Sequence, residues 1–130
     1  MIVTDASVIL ELLLESTAAR RIRARLVDAR ETLHAPGILD IEVAHALRRY
    51  ASRREISIER GRSAIALLER FPITRYSHEL LLRRIWELRN NLTAHDAAYI
   101  ALAEGLDATF ITRDSRLASA PNHRATVEVI

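Results

Sequence analysis

Short apolar runs alternate along this sequence with longer segments in which apolar residues recur every three or four positions. The short runs are typical of buried strands, and the longer segments are typical of amphipathic helices. Parallel strands cannot be joined by a tight hairpin and are usually connected through a helix. The alternation therefore predicts an α/β sandwich in which helices cover a mainly parallel sheet.

The pattern assigns each part of the chain to a strand or a helix. Strands are expected at residues 1–4, in a short run that ends near residue 35, and at 73–75, 108–111 and 127–130. Helices are expected at residues 6–14, 18–29, 38–53, 58–70, 77–90 and 93–104, with a short turn or helix at 116–120. Because no linker or repeat interrupts this order, we expect a single domain that spans residues 1–130.

Particular residues mark boundaries and buried faces within these segments. Pro36 and Gly37 are expected to break the chain before the helix at 38–53. The helix that Thr93 starts is apolar on most sides, so it is expected to be central, and Gly105 is its expected C-terminal cap. Two other helices are each expected to bury one apolar face, formed by Ala18, Ile22, Leu26 and Ala29 in one and by Leu81, Leu82, Ile85 and Leu88 in the other.

The composition excludes several classes of enzyme. The 130 residues include no Cys, which excludes disulfides, iron–sulfur clusters and thiolate nucleophiles and is typical of a cytoplasmic protein. All 19 basic residues are Arg, so chemistry that needs a lysine Schiff base or a Walker A phosphate loop is excluded as well. No apolar run approaches the roughly 20 residues of a membrane span, so no membrane association is expected.

Four acidic residues lie where burial normally selects against charge. Asp5 ends the first strand, and Asp114 follows the strand at 108–111. Glu42 lies within an apolar helical segment, and Asp96 opens the central helix. In a parallel sheet the strand C-termini and the N-termini of the following helices meet at one edge, which is where such folds bind ligands. We therefore expect the four side chains to converge at that edge.

Each of these carboxylates also has a local explanation. Asp5 and Asp114 can cap a helix or a turn. Asp96 stands three residues after Thr93, which is the spacing of a capping box, and Glu42 can pair with an arginine of its own helix. Four unrelated causes at one edge of the sheet are a weaker explanation than one shared function.

Carboxylates that lie close together need a compensating positive charge. Two of them about 4 Å apart repel each other by roughly 4 kcal/mol at an effective dielectric constant near 20. Proton uptake and a bound divalent cation are the two ways to relieve this repulsion, and the cation is the simpler one. Because the donors are oxygens and Cys is absent, Mg²⁺ or Mn²⁺ is favoured over zinc. Acidic sites that hold such an ion typically serve phosphoryl chemistry.

Four segments resemble the motifs of PIN-domain ribonucleases, and in particular those of the VapC-type toxins of type II toxin–antitoxin modules. They are VTDAS at residues 3–7, IEVAHAL at 41–47, HDAAYIALA at 95–103 and TRDSRL at 112–117. Their order and spacing fit the family, and together they span nearly the whole chain. The resemblance implies a PIN-like three-layer α/β/α sandwich with a central, mainly parallel sheet. It also implies an Mg²⁺- or Mn²⁺-dependent endoribonuclease that hydrolyses RNA phosphodiester bonds.

The resemblance assigns roles to particular residues. The acidic quartet around Mg²⁺ or Mn²⁺ would consist of Asp5, Glu42, Asp96 and Asp114. Ser7 and Thr112 match the small hydroxyl positions that support such sites. Glu42 would act either as a ligand or as the residue that positions and deprotonates the attacking water.

Partners are implied by the same resemblance and by the arginines. The family implies an RNA substrate, a homodimer and a small cognate antitoxin that covers the acidic groove. Arginines are candidates for contacts with RNA phosphates, namely Arg48, Arg49, Arg53, Arg54, Arg60, Arg62 and Arg113. The competing explanation is that these arginines form ordinary solvated helix faces.

Other functions stay open at this point. An RNA-processing nuclease without an antitoxin would carry the same motifs, and a PIN-like fold that has lost catalysis would act by binding RNA or protein. A haloacid-dehalogenase-like phosphatase or a phospho-receiver is disfavoured. The phosphatase motif needs a second acid where Ser7 stands, and both classes rely on a lysine that this chain lacks.

Overall fold

The computed structural model describes residues 1–28 and 30–130 and contains one parallel sheet. Its strands are β1 (Ile2–Thr4), β2 (Leu33–Pro36), β3 (Ile73–Tyr76), β4 (Thr109–Thr112) and β5 (Val127–Val129). They lie in the order β3-β2-β1-β4-β5, and every neighbouring pair is parallel. The predicted α/β fold with a parallel central sheet is confirmed.

Helices connect the strands and flank the sheet. They are α1 (Ala6–Leu13), α2 (Ala19–Asp28), α3 (Ile38–Ser52), α4 (Ile58–Arg70), α5 (Leu82–Glu87), α6 (Ala94–Leu106) and α7 (Ser115–Ser119), with a 3-10 turn at His78–Leu81 before α5. On the predicted face of α2, Ile22 is fully buried and Ala18 and Leu26 pack against the core. Ala29, the fourth predicted member of that face, lies outside the described residues. Within the described ranges, no helix is both long and apolar enough to cross a membrane.

The core is built around the central strand β1 and the helix α6. All residues of β1 are buried, and so are residues 97–103 of α6. Many of these α6 residues are alanines, which let the helix approach the sheet closely. The ring of Tyr99 stacks on that of Phe110 in β4, with centroids 5.7 Å apart and planes 3° from parallel. The prediction of a central, nearly fully buried helix is confirmed.

Two local predictions are wrong. The segment at 77–90 is not one helix, because a 3-10 turn precedes α5 and rotates the chain by about 120° rather than 100° per residue. Leu82 is 58% exposed, while Leu81 and Leu88 are buried. At 100° per residue Leu82 lies about 120° around α5 from Leu88, so the two side chains do not share one buried face. Gly105 lies inside α6, and Asp107 ends the helix with a φ of 50°. Aspartate is among the few non-glycine residues that adopt this left-handed conformation readily.

Glu104 of α6 connects three parts of the fold. Its carboxylate accepts hydrogen bonds from Arg84 of α5 at 2.7 and 3.0 Å and from the backbone N–H of Arg124 at 2.8 Å. Arg84 also donates to the carbonyl of Asn122 at 3.0 Å. Burial acts to raise the pKa of Glu104, but the hydrogen bonds from Arg84 and Arg124 outweigh it and hold this pKa below its ordinary value. The ionised carboxylate therefore stabilises the packing of α5, α6 and the segment before β5.

We expect Glu104→Gln to lower the free energy of unfolding at pH 7 by about 1.5–3 kcal/mol, because Arg84 loses a charged hydrogen-bond partner. A carboxyl whose pKa is lowered by folding stabilises the protein above its unfolded-state pKa, and this contribution is lost as the pH falls through the folded-state pKa. Urea unfolding at about pH 7 and about pH 3 measures the effect, and the gap between wild type and variant should narrow at acid pH.

Glu87→Gln is the matched control for this prediction. Glu87 bonds the same arginine at 3.1 Å, but its side chain is 52% exposed, whereas that of Glu104 is 7% exposed. The control should change the free energy of unfolding by less than about 1 kcal/mol. Equal losses in the two variants would contradict the role assigned to Glu104.

Candidate active site

The acidic residues singled out from the sequence gather at the carboxyl edge of the sheet. Because β1 and β4 are parallel neighbours, their ends lie side by side there. Asp5 directly follows β1 and caps α1, and Asp114 follows β4 and caps α7. Asp96 lies in the first turn of α6, and Glu42 lies in the second turn of α3. Each of the four carboxylates therefore lies at or near the N-terminus of a different helix.

Asp5 is buried, and both of its carboxylate oxygens accept hydrogen bonds from hydroxyl groups. Ser7 Oγ donates to Oδ1 and Thr112 Oγ1 donates to Oδ2, each at 2.5 Å. The backbone N–H groups of Ser7 and Val8 also donate to Oδ1, at 3.0 and 3.3 Å. Asp5 thus caps α1 and, through the hydrogen bond from Thr112, connects β1 to β4. This capping role is compatible with a role of Asp5 in the acidic site.

The same two hydroxyls also hold the loop that follows β4. The backbone N–H of Arg113 donates to Ser7 Oγ, and that of Asp114 donates to Thr112 Oγ1, both at 3.0 Å. Each hydroxyl therefore donates to Asp5 and accepts from the loop. Ser7 and Thr112, expected from the sequence to support the site, lie between Asp5 and the backbone that carries Asp114.

Glu42 is held by a residue that the sequence analysis did not single out. The hydroxyl of Tyr99 donates to Glu42 Oε1 at 2.9 Å. Tyr99 is fully buried and lies three residues after Asp96, on the same side of α6. A signal was present in the sequence, because the tyrosine hydroxyl is the one polar side-chain group in the apolar run at 97–103. The observed partner of Glu42 is therefore Tyr99 rather than an arginine of α3.

Asp114 faces an arginine two residues further along the chain. Arg116 donates from Nε to both carboxylate oxygens, at 3.0 and 3.1 Å, and from Nη2 to Oδ2 at 2.5 Å. These hydrogen bonds hold the pKa of Asp114 below its ordinary value. The guanidinium of Arg116 is exposed, and it also interacts electrostatically with Asp96. Arg116 thus supplies positive charge beside two of the four carboxylates.

The pKa values of Asp5 and Glu42 are instead raised. Burial raises the pKa of Asp5, although hydrogen bonds from Ser7 and Thr112 act against it. Burial also raises the pKa of Glu42. The hydrogen bond from Tyr99 and the charge interaction with His95 oppose that shift, and the negative charges of Asp5 and Asp96 add to it. Glu42 is therefore close enough to both Asp5 and Asp96 to be repelled by their charges.

The fit of this site to a metal ion depends on donor chemistry and on side-chain rotation. As the side chains stand, no three acidic or histidine residues among those described form a group arranged to hold a metal ion. The available donors are carboxylate and hydroxyl oxygens, which are the ligands that Mg²⁺ and Mn²⁺ prefer. Arg116 now occupies both oxygens of Asp114, so this carboxylate could reach a cation only after that contact opens. The donor set therefore fits a hard divalent cation.

The candidate RNA-binding arginines fall into two groups. Those of α3 and the turn after it are exposed and form no ion pair with a described side chain, namely Arg48, Arg49, Arg53 and Arg54. Arg49 lies seven residues after Glu42, which places it on the same helix face about 10 Å away. This group is available to a ligand near the acidic edge.

The remaining arginines are engaged by the protein. Arg62 pairs with Glu59, and Arg60 donates to the carbonyl of Leu14. Arg113, which lies beside the quartet, pairs with Glu11 of α1 at 3.2 Å.

Comparison with known families agrees with the fold. The PIN domain family matches residues 2–122. The chain therefore belongs to the PIN-domain family.

Curated relatives narrow the assignment. Ribonuclease VapC9 of Mycobacterium tuberculosis (strain ATCC 25618 / H37Rv) is 41% identical over 130 residues, which cover 100% of this chain and 98% of that protein. Ribonuclease VapC12 of the same strain is 38% identical over 130 residues, with 100% and 99% covered. Within the PIN-domain family, the chain belongs to the VapC group.

A solved structure agrees at the level of the fold. VapBC2 from Rickettsia felis, bound to a DNA fragment from their promoter, superposes with a TM-score of 0.72 at 14% identity. The match covers 99% of this chain and 98% of that one.

We expect Thr112→Val to lower the free energy of unfolding by about 1–3 kcal/mol, because it leaves a buried oxygen of Asp5 and the N–H of Asp114 without their partner. Thr4→Val is the matched control. Thr4 is also fully buried at the end of a neighbouring strand, but within the described residues its hydroxyl has no hydrogen-bond partner. The control should therefore be neutral or stabilising in urea unfolding. A loss in Thr4→Val as large as that in Thr112→Val would contradict the network described for Asp5.

Proposed function

We propose that this protein is a metal-dependent endoribonuclease that hydrolyses RNA phosphodiester bonds and is the toxin of a toxin–antitoxin pair. The observation that carries the proposal is the buried carboxylate of Asp5. It is connected to the loop of Asp114 through Ser7 and Thr112, and its charge acts on Glu42. Full-length relatives named VapC ribonucleases support the same reaction class.

Asp5, Asp96 and Asp114 are the proposed ligands of Mg²⁺ or Mn²⁺. When bound, such an ion polarises a phosphate oxygen and favours ionisation of a water molecule. The two hydroxyls on Asp5 hold its carboxylate in one orientation. Asp114 would serve as a ligand once its side chain turned away from Arg116, which would free that guanidinium.

Glu42 is the proposed general base, and Tyr99 orients it. The hydrogen bond from Tyr99 occupies Oε1, so Oε2 is the oxygen that accepts the proton of the attacking water. The water oxygen forms a bond to phosphorus, the bond to the leaving oxygen breaks, and that oxygen takes a proton from solvent. Glu42 then returns its proton to solvent.

The arginines of α3 are the proposed contacts with the RNA backbone. Arg48 and Arg49 are exposed on the helix that carries Glu42, and phosphate contacts from such residues position a nucleic acid without reading its sequence. Arg113 is the weaker candidate, because Glu11 occupies its guanidinium.

An antitoxin and a second copy of the chain are the proposed protein partners. A small antitoxin that covers the acidic groove accords with membership of the VapC group. A homodimer is supported by large apolar side chains that lie exposed on α3 and α5, namely Ile41, Leu82 and Trp86. We propose that the protein and its antitoxin act in the cytoplasm, in keeping with the absence of Cys.

Incubation of the purified protein with total RNA tests the reaction. With Mg²⁺ or Mn²⁺ present, we expect cleavage at discrete sites, read by mapping the new RNA ends. A chelator should abolish it, and Asp5→Asn should lower the rate by at least about a hundredfold, because the buried ligand loses its charge. Asp107→Asn makes the same chemical change at the end of α6, where asparagine also tolerates the left-handed conformation, and should leave the rate unchanged.

Two results would overturn the proposal. Full activity in Asp5→Asn removes Asp5 from the site. A wild-type protein that cleaves no RNA and binds no Mn²⁺ in calorimetry is a binding module rather than a nuclease.

We expect Tyr99→Phe to lower the cleavage rate by about ten- to a hundredfold while the protein stays folded, because Glu42 loses the bond that orients it. The ring still fills its place on Phe110, so only the hydroxyl is tested. Tyr76→Phe is the control, since its hydroxyl bonds His34 at 2.9 Å instead. A Tyr99→Phe protein that cleaves RNA at the wild-type rate would show that Glu42 needs no such partner.

A further inference from the structure

The N-terminus of α3 is completed by a residue from a distant part of the chain. Gly37 stands at the N-cap and makes no side-chain hydrogen bond. Instead, the backbone N–H of Ile38 donates to Nε2 of His78 at 3.0 Å, and the N–H of Gly37 donates to the carbonyl of Tyr76 at 2.9 Å. His78 opens the 3-10 turn after β3, so this cap forms only when β3 and α3 are assembled.

The direction of the hydrogen bond defines the state of the imidazole. A backbone N–H can only donate, so Nε2 of His78 must be the acceptor, and the ring is neutral with its proton on Nδ1. The N–H groups in the first turn of a helix have no partner within the helix. His78 therefore does for α3 what Ser57 and Thr93 do for α4 and α6, which are capped by the residue that precedes each helix.

A second contact from β3 reaches the same helical turn. Arg75 donates to both carboxylate oxygens of Asp40, at 2.8 and 3.0 Å. Asp40 and Ile38 belong to the first turn of α3, and Glu42 follows in the next turn. The end of β3 thus holds the helix on two sides, one turn before the proposed general base.

From these contacts we infer that His78 is a positioning residue for Glu42. His78 acts through Ile38, from whose N–H group it accepts a hydrogen bond. This bond fixes the position of α3 along its axis and its rotation about that axis, so that Glu42 reaches Tyr99 at the acidic edge. The inference rests on the proposed ribonuclease function and adds a residue that lies outside the four sequence motifs.

Three variants of the full chain test this inference. His78→Gln places a carbonyl oxygen near the position of Nε2 and keeps the acceptor. His78→Asn is one methylene shorter and cannot reach Ile38, and His78→Ala has no acceptor. For an RNA site found by end mapping, we expect kcat to fall by about tenfold in His78→Asn and His78→Ala, with KM changed less than about twofold, and His78→Gln to recover most of the rate.

Hydrogen exchange of the Ile38 amide, followed by NMR, tests the cap without catalysis. The amide should exchange faster in His78→Asn than in wild type and be protected again in His78→Gln. Wild-type kcat in a folded His78→Asn protein, or unchanged exchange of the Ile38 amide, would overturn this inference and leave the proposed ribonuclease function intact. A rate lost equally in His78→Gln and His78→Asn would also overturn it, because the acceptor then does not matter. A wild-type protein that cleaves no RNA would overturn the proposed function and this inference together.

Discussion

The carboxylate of Asp5 is buried at the edge of the sheet, and its hydroxyl partners come from both sides of that edge. Ser7 belongs to the helix that Asp5 starts, and Thr112 ends the neighbouring strand. A buried carboxylate without such hydrogen-bond partners would lower the stability of the fold. The same two hydroxyls accept from the loop of Asp114, so the orientation of one acid and the path of the backbone that carries another are set together.

The rest of the site is positioned from further away. Glu42 is held from α6 by Tyr99, and the first turn of its helix is held by His78 and Arg75. Arg75 belongs to the edge strand β3, and His78 follows it. Each of these contacts joins elements far apart in the chain, so the geometry around Glu42 depends on complete assembly of the sheet. The acids themselves repel one another, and the surrounding framework holds them in place.

Sequence reasoning succeeded where the signal is local or periodic. The first strand, the strand predicted at 108–111 and observed at Thr109–Thr112, and the buried helix after Thr93 follow from apolar patterning and capping. It failed at Leu82, because this residue lies about 120° around α5 from the buried Leu88, and the packing of α5 leaves that side exposed. It failed at Gly105 as well, because the helix ends two residues later, at Asp107.

The amino-acid sequence was enough to predict the order of the strands and helices, to exclude lysine and cysteine chemistry, and to single out four acidic residues. Each of these depends on residue type, spacing or resemblance to a family. Tertiary structure alone decided which partners those acids have. The hydrogen bond of Tyr99 to Glu42 spans 57 positions and that of His78 to Ile38 spans 40. No local pattern encodes such pairs, because they arise from the way the helices pack on the sheet rather than from the preferences of neighbouring residues.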